Sequence, residues 1–300
     1  MFTTDDQTHF SWFRPASLEP LHKFESLGLL ISLAVFNGLT LSLNFPLVLY
    51  RKLLGLSVSL DDIEDAWPDE MKSLRGLLNC TGDDLERLDI SYLFTMNTPG
   101  FPMDINMELE PAPSGPIDVK ASASRAEAAS TVTCQNLRQY VQDYILWLTH
   151  KSIGPQYSAF EKGFYTLLDR KAVALFTPSA LKLLVEGSQE IDVDDLERAA
   201  TYEMYSAEDD TIRNFWQVVR SFSPEQLRKL LEFVTASDRV PFGGFSSINF
   251  QIQRDTNNDE RLPSSGTCFG RLMLPDYSSR EIMKERLCLA IENSQGFGNI

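Results

Sequence analysis

Apolar side chains recur at helical spacing along most of the first two-thirds of the chain. This spacing predicts a buried helix that ends near Phe36. A second helix is predicted to begin after the N-cap Asn44, with Pro46 in its first turn, and to run through Leu54. Further helices are predicted at 60–63, at 69–78, from Thr133 as N-cap, around Phe160 and Phe164, and from Thr177-Pro178 to the C′ glycine Gly187.

The periodicity changes after Gly187, where short strands join the helices. Ile248, Phe250 and Ile252 alternate with polar residues, which indicates a half-buried strand. A polar turn at 255–260 and a second strand at 269–274 are predicted to follow. The helices predicted here lie at 191–200, at 211–221, after a capping box formed by Ser223 and Gln226, and at 282–292 after a second box formed by Ser278 and Glu281.

Together these patterns predict an α+β fold with two lobes. A mostly helical larger lobe would span 1–186, a hinge 187–190, and a smaller α+β lobe 191–300. A stretch rich in Pro, Ala, Ser and Gly at about 110–130 is typical of a disordered surface insertion in the larger lobe.

Composition narrows the possible partners and compartments. The formal charge of −15 disfavours nucleic acid as a partner. Four cysteines without a C-x-x-C pair, after a start that lacks the features of a secretory signal, predict reduced thiols and a cytoplasmic protein, with the nucleus as a second compartment. The three histidines and these cysteines do not form a spaced cluster, so we expect no metal and no cofactor.

The uncharged stretch 27–50 is long enough to suggest a membrane span. However, Asn37-Gly38 is a turn signal and Pro46 fits the first turn of a new helix, so two buried helices and no membrane insertion are predicted.

Cys268 is the candidate nucleophile, because it lies in a loop that leads into a predicted strand. A thiol can accept an acyl group from another thioester and then release it to an amine. Arg261 and Arg271 are close enough in sequence to favour the thiolate. A lone cysteine is more often a small packed side chain, and we assign that role to Cys80, Cys134 and Cys288.

The context of Cys268 favours a catalytic role. The segment Arg261-Leu-Pro-Ser-Ser-Gly-Thr-Cys-Phe-Gly-Arg-Leu-Met-Leu-Pro-Asp-Tyr-Ser-Ser resembles the active-site loop of the HECT family of ubiquitin ligases. Four further segments resemble that family in order and spacing: 27–37, 45–55, 159–164 and 233–244, followed by a tail with Phe297 four residues from the end.

The resemblance implies a ubiquitin-protein transferase with Cys268 as the catalytic residue that carries ubiquitin as a thioester. Its partners would be a ubiquitin-conjugating enzyme, ubiquitin and a protein substrate that receives ubiquitin on a lysine. The residues implied to support the active-site loop are Leu262, Pro263, Thr267, Phe269 and Phe297. The residues implied to form the docking groove for the conjugating enzyme are Ser73, Leu74, Leu77, Leu88, Leu137 and Val141.

Two departures from the family pattern bear on activity. Gly266 and Gly270 occupy positions where the family commonly has histidine and asparagine, and we expect two glycines to loosen the loop. The chain also begins well inside the family's larger lobe, which predicts that the first part of that lobe is missing.

Two alternatives stay open at this point. One is a truncated, weakly active or inactive module that binds a conjugating enzyme or ubiquitin without transferring it. The other is a cysteine hydrolase, which would need a histidine beside the thiol, and no local pattern places His9, His22 or His150 there.

Overall fold

The computed structural model describes residues 1–98, 100–109 and 125–293. Most of the insertion expected at about 110–130 and all of the tail around Phe297 lie outside these residues. The chain folds into two compact units. The first comprises Met1–Asn37 and Asn44–Lys182, and the second comprises Gly38–Leu43 and the chain from Leu183 onward. Helices and small sheets coexist, so the predicted α+β fold class is confirmed.

The first unit is built mainly from helices, with two short hairpins. Its strands are β1 (Phe2–Thr4), β2 (Ser11–Phe13), β3 (Leu93–Asn97) and β4 (Pro102–Asn106). Its helices are α1 (Leu21–Phe36), α2 (Leu47–Leu53), α3 (Pro68–Leu78), α4 (Gly82–Leu88), α5 (Leu137–Thr149), α6 (Gly154–Phe164), α7 (Arg170–Val173) and α8 (Pro178–Glu186), the last of which continues into the second unit.

Helices α1 and α6 pack closely because glycines lie where they cross. A Cβ atom at Gly28 would come within 2.1 Å of the Phe160 carbonyl oxygen, and one at Gly163 within 1.9 Å of the Glu25 carbonyl oxygen. Buried aromatic rings surround this crossing, and the Phe13 and Phe160 ring centroids lie 5.4 Å apart. Two of the segments that resemble the HECT family, 27–37 and 159–164, thus lie in one pair of packed helices.

The opposite face of α1 is apolar but not covered within the described chain. Leu29, Leu30, Leu33 and Phe36 are exposed, although they lie on the same helix as the buried Phe24. None of the helices described is both long and apolar enough to cross a lipid bilayer.

The second unit holds a four-stranded sheet against three longer helices. Its elements are α9 (Val193–Ala199), β5 (Thr201–Glu203), α10 (Asp210–Arg220), α11 (Pro224–Thr235), β6 (Gln251–Arg254), β7 (Ser264–Gly266), β8 (Arg271–Leu274) and α12 (Arg280–Asn293). The strand order is β5-β6-β8-β7; β5, β6 and β8 run parallel, and β7 runs antiparallel to β8. Buried apolar side chains of α10, α11 and α12 pack on this sheet around Ile252 and Leu272.

The segment Gly38–Leu43 is bonded into the second unit although its chain neighbours belong to the first. The Leu41 N–H donates to the Val185 carbonyl (3.0 Å), and the Arg239 guanidinium donates to the Leu43 carbonyl (2.9 Å). Ser188 forms two backbone hydrogen bonds with Val240 (2.7 and 2.9 Å), so part of the segment 187–190 is also fixed within this unit. The interpretation of 187–190 as a hinge stays a prediction.

Several helix ends match the sequence pattern. Helix α1 ends at Phe36, Gly187 follows α8 with a φ of 68°, and Ser223 with Gln226 forms the expected capping box. Three predicted caps are wrong. Pro46, Asn136 and Ser279 hold the positions expected for Asn44, Thr133 and Ser278.

Two of the wrong caps have a local cause. The Asn44 amide donates to the His9 carbonyl (2.7 Å), and Ser278 is bonded through both its backbone N–H and its hydroxyl to Asp259. A side chain that bonds elsewhere is not available to the helix N–H groups that a cap would bind.

The strands were the weakest part of the sequence interpretation. The strand expected around Ile248–Ile252 begins only at Gln251, and the strand expected from Phe269 begins at Arg271 because Thr267–Phe269 forms a 3₁₀ turn. The expectation of a mostly helical first part overlooked the β3–β4 hairpin, although Phe94 and Met96 alternate with exposed residues. Strands of only four or five residues carry little alternation by which they could be recognised.

Candidate active site

Cys268 lies on the 3₁₀ turn Thr267–Phe269 that joins the antiparallel strands β7 and β8. The thiol is exposed, and so are its two neighbours, with Phe269 exposed to 69%. The turn packs on one side against helix α11. The candidate nucleophile is therefore accessible, while the backbone that carries it packs against a helix.

Backbone hydrogen bonds fix the turn immediately after the cysteine. The Gly270 N–H donates to the Thr267 carbonyl (3.2 Å), and the Gln251 N–H donates to the Gly270 carbonyl (2.8 Å). The Asn249 side-chain amide also donates to the Phe269 carbonyl. Gln251 at the start of β6 and Asn249 just before that strand thus hold the backbone that follows Cys268.

Gly270 does not loosen this loop, which corrects the expectation from the sequence. Its φ is 58°, in the left-handed region, and it is buried. A Cβ atom at this position would lie 1.9 Å from the Asn249 carbonyl oxygen. Glycine is what allows the turn to approach the neighbouring strand so closely.

Gly266 has a different environment. It pairs with Arg271 in the β7–β8 ladder, and the nearest atom to an added Cβ is the Arg271 Cβ at 4.0 Å. A side chain would therefore fit at this position. Among the residues that the structure describes, none forms a hydrogen bond with the Cys268 thiol.

The two arginines near Cys268 in sequence are engaged with other groups. Arg271 donates to the Gln251 side-chain oxygen (2.9 Å) and pairs with Glu203 (3.5 Å). Arg261 pairs with Asp255 (2.7 Å). That either arginine favours the thiolate stays a prediction.

Two of the residues that the family resemblance implies to support the active-site loop, Leu262 and Pro263, lie before the cysteine and differ in exposure. Pro263 is buried, whereas Leu262 is 42% exposed. The Tyr277 hydroxyl donates to the Arg261 carbonyl (2.6 Å) and so ties this loop to the chain that follows β8. Phe297 lies outside the described residues.

The six residues implied to form the docking groove differ in exposure. Leu74, Leu137 and Val141 are buried, where helices α3 and α5 pack together. Leu77 is half-buried, and Ser73 and Leu88 are exposed. The buried three serve the packing of the first unit, and a groove formed by the set stays a prediction.

Two other residues near these sites are not among those predicted to form them. Asn249 gave no signal, because its bond to Phe269 depends on how the strands align. Leu78, next to Leu77, is 39% exposed and extends the apolar surface of α3.

The remaining cysteines divide into two kinds. Cys288 packs against the core of the second unit, and burial raises the pKa of its thiol, as its assignment to packing requires. Cys134 is exposed, so its assignment as a packed side chain is wrong, and Cys80 is half-buried. Within the described part of the chain, no three His, Cys, Asp or Glu residues are grouped as a metal site would need.

Comparison with known proteins places this site in context. The family model described as HECT-domain (ubiquitin-transferase) matches residues 1–300. The probable E3 ubiquitin-protein ligase HECTD2 of Mus musculus is 35% identical over 312 residues, which cover 99% of this chain and 38% of that protein. The probable E3 ubiquitin-protein ligase HERC4 of Homo sapiens is 33% identical over 301 residues, covering 100% of this chain and 27% of that protein. The E3 ubiquitin-protein ligase UPL1 of Arabidopsis thaliana is 35% identical over 292 residues, covering 93% and 8%.

Proposed function

The chain belongs to the HECT-domain family of ubiquitin transferases, and from that premise we propose that it carries ubiquitin as a thioester on Cys268. In this proposal a ubiquitin-conjugating enzyme donates the ubiquitin, and a lysine of a protein substrate receives it. The chain spans 38% of the length of the mouse HECTD2 relative, so substrates and the activity of a whole protein are part of the same proposal.

The observation that carries the proposal is an exposed thiol on an anchored turn. Cys268 is accessible, while hydrogen bonds from Asn249 and Gln251 hold the backbone that follows it. A nucleophile that must meet a large acyl donor needs access, and one that must meet it in a fixed geometry needs a rigid support.

The proposed chemistry has two steps. In the first, the Cys268 thiolate attacks the carbonyl carbon of the donor thioester, the new carbon–sulfur bond forms, and the donor's cysteine leaves as a thiolate. In the second, a substrate amine attacks the new thioester, an isopeptide bond forms, Cys268 leaves as a thiolate, and the amine loses a proton to a base or to solvent.

Histidine content supports transfer over hydrolysis. None of the three histidines falls between residues 183 and 300, so the second unit has no imidazole of its own beside Cys268. Exchange between two thiols needs little help from a base, whereas a cysteine hydrolase depends on one. Gly266 and the missing imidazole affect the second step more than the first.

Two further parts of the proposal concern the surroundings of the reaction. We propose that the conjugating enzyme contacts the surface of α3 and α4 at the exposed Ser73 and Leu88 and the half-buried Leu77, because apolar surface on a folded unit commonly marks a partner site. Reduced thiols and the acidic composition support a cytoplasmic or nuclear location.

A single-turnover assay tests the thioester. A conjugating enzyme charged with fluorescent ubiquitin is mixed with the wild-type chain, Cys268→Ala or Cys134→Ala, and the products are separated on non-reducing gels. The proposal expects a thiol-sensitive adduct on wild type and on Cys134→Ala, and none on Cys268→Ala. Cys134 is the matched control because its thiol is also exposed.

Two results would contradict the proposal. An adduct that survives in Cys268→Ala would assign the acceptor to another cysteine. The lack of any adduct on a wild-type chain that circular dichroism shows to be folded would favour the alternative of a module that binds without transferring.

A further inference from the structure

A cleft in the first unit is lined by none of the residues of the thiol turn and by none of Ser73, Leu77 and Leu88. It has a volume of about 580 Å³, within the range of small-molecule sites, and lies between the end of α2, helix α5 and helix α6. Its lining combines a buried amine, a buried phenol and an apolar wall, which is the combination expected of a ligand site rather than of a gap in packing.

The buried amine belongs to Lys52, which is only 9% exposed. Its ammonium donates to His150 Nδ1 (2.7 Å) and lies 4.3 Å from the centre of the Tyr157 ring. Among the residues that the structure describes, Lys52 forms no ion pair with a carboxylate. Burial lowers the pKa of Lys52 to about 8, and the charge of Glu161 opposes this shift only in part.

The buried phenol belongs to Tyr157, which is 6% exposed. Its hydroxyl is buried and has no hydrogen-bond partner in the described chain. A buried donor without an acceptor is costly, so it is normally satisfied by protein, by water or by a ligand. Tyr157 therefore offers a donor without an acceptor in the described chain, and Lys52 offers an ammonium that no carboxylate there pairs with.

The other charged groups that line the cleft are already engaged. Asp143 accepts from the Tyr92 hydroxyl (2.7 Å) and from Gln139 (3.1 Å), and Glu161 pairs with Arg170 (3.4 Å). Neither carboxylate neutralises Lys52, yet both make the cleft unfavourable for an anion with two charges. Lys52 is the one lysine or arginine among the described residues that line the cleft, so a ligand with a single negative charge matches it.

The lining of the cleft also includes exposed apolar side chains. Leu56 and Leu146 line it and are 45% and 40% exposed. Large apolar side chains exposed beside a buried cation would cover the hydrocarbon part of an amphiphilic ligand.

We propose that this cleft binds a small monocarboxylate with an apolar stem. The carboxylate accepts hydrogen bonds from Lys52 Nζ and from the Tyr157 hydroxyl, and the stem lies against Leu56 and Leu146. A charge-assisted bond to an ammonium supplies the main selectivity for the head group.

Binding of a matched series of six-carbon compounds to the full chain tests the proposal. Hexanoate, hexan-1-ol and hexylamine share one stem and differ only in head group, and inorganic phosphate supplies a head group without a stem. Calorimetric titration should show binding of hexanoate, and binding at least about ten-fold weaker for the other three.

Two variants and one control locate the site. Lys52→Met keeps the length of the side chain and should weaken hexanoate binding at least about ten-fold, and Tyr157→Phe should weaken it about two- to ten-fold. Lys23→Met removes a half-exposed lysine of α1 that pairs with Glu19 and should leave binding unchanged. If Lys52→Met does not fold, Tyr157→Phe decides alone.

The proposal is overturned if wild type does not bind hexanoate, if hexan-1-ol or phosphate binds as tightly, or if Tyr157→Phe binds hexanoate as wild type does. Equal binding by a folded Lys52→Met variant would overturn it as well, since Lys52 would then serve only the packing of α2.

Discussion

Replacing Gly270 with alanine should damage the turn that carries Cys268. The native residue has a φ of 58°, and an L-residue in this left-handed region costs about 1–2 kcal/mol. The added Cβ would also lie 1.9 Å from the Asn249 carbonyl oxygen, so this distance has to open to about 3.4 Å, a shift of about 1.5 Å.

Hydrogen bonds on both sides of this contact oppose such a shift. The Gly270 carbonyl accepts from the Gln251 N–H, and the carbonyl of Phe250, the residue after Asn249, accepts from the Thr201 N–H (2.9 Å). Movement on either side therefore disturbs the hydrogen bonds where the central strands β6 and β8 begin. Overpacking of this kind costs about 1–3 kcal/mol. With the backbone term, the variant should lose about 2–5 kcal/mol of unfolding free energy.

Gly266→Ala is the matched control. It changes a glycine on the other side of Cys268, where the nearest atom to the new Cβ is 4.0 Å away. We expect its unfolding free energy to stay within about 0.5 kcal/mol of wild type, as for most surface changes. Gly270→Asn separates the two terms, because asparagine tolerates the left-handed region but brings the same Cβ overlap.

The assay combines urea unfolding with the single-turnover rate of adduct formation. Gly270→Ala should be destabilised and should form the adduct at least about ten-fold more slowly, since a displaced nucleophile loses its oriented encounter with the donor. Gly270 does not determine the geometry of the turn if Gly270→Ala unfolds and reacts as wild type does, or if Gly266→Ala is impaired to the same extent.

Three further outcomes test the rest of the fold. Gly163→Ala brings a Cβ within 1.9 Å of the Glu25 carbonyl oxygen and should lower the unfolding free energy in urea by about 2–4 kcal/mol. Its control is Gly76→Ala, where no atom lies within 4 Å of the added Cβ, and this variant should be neutral or stabilising by up to about 1 kcal/mol. Ser223→Ala removes the cap of α11 and should cost about 1 kcal/mol in the same assay, and an unchanged midpoint would contradict the capping role. The pKa of Lys52 is about 8 in the folded state against an ordinary value of 10.5, so its charge destabilises the fold most below pH 8. Between pH 7 and pH 11 the unfolding free energy of wild type should therefore rise by roughly 3 kcal/mol relative to that of Lys52→Met. A difference between the two proteins that does not change with pH would contradict this.

The sequence was sufficient for features that depend on nearby residues. The end of α1 at Phe36, the capping box at Ser223 and the C′ glycine Gly187 all follow from local chemistry. Resemblance to a family identified Cys268, because neither periodicity nor composition separates it from the exposed Cys134.

What the sequence did not supply depends on contacts between distant residues. The bond from Asn249 to the Phe269 carbonyl joins residues 20 apart and exists only because β6 and β8 align in one register. The same register makes Gly270 a tightly packed residue rather than a flexible one. The prediction of short strands fails for a related reason, because their pairing with other strands, and not their own residue pattern, defines them.

The way in which Gly38–Leu43 is bonded into the second unit affects how the protein can be divided. Residues 41 and 185, joined by a backbone hydrogen bond, are far apart along the chain, so the second unit is not encoded by one continuous stretch. A fragment that starts at Leu183 would leave the Val185 carbonyl and the Arg239 guanidinium without these partners. In a chimera in which everything after residue 182 comes from a relative, residues 38–43 of this chain would have to pack against the relative's residues. Such exchanges should therefore carry both pieces of the gene together.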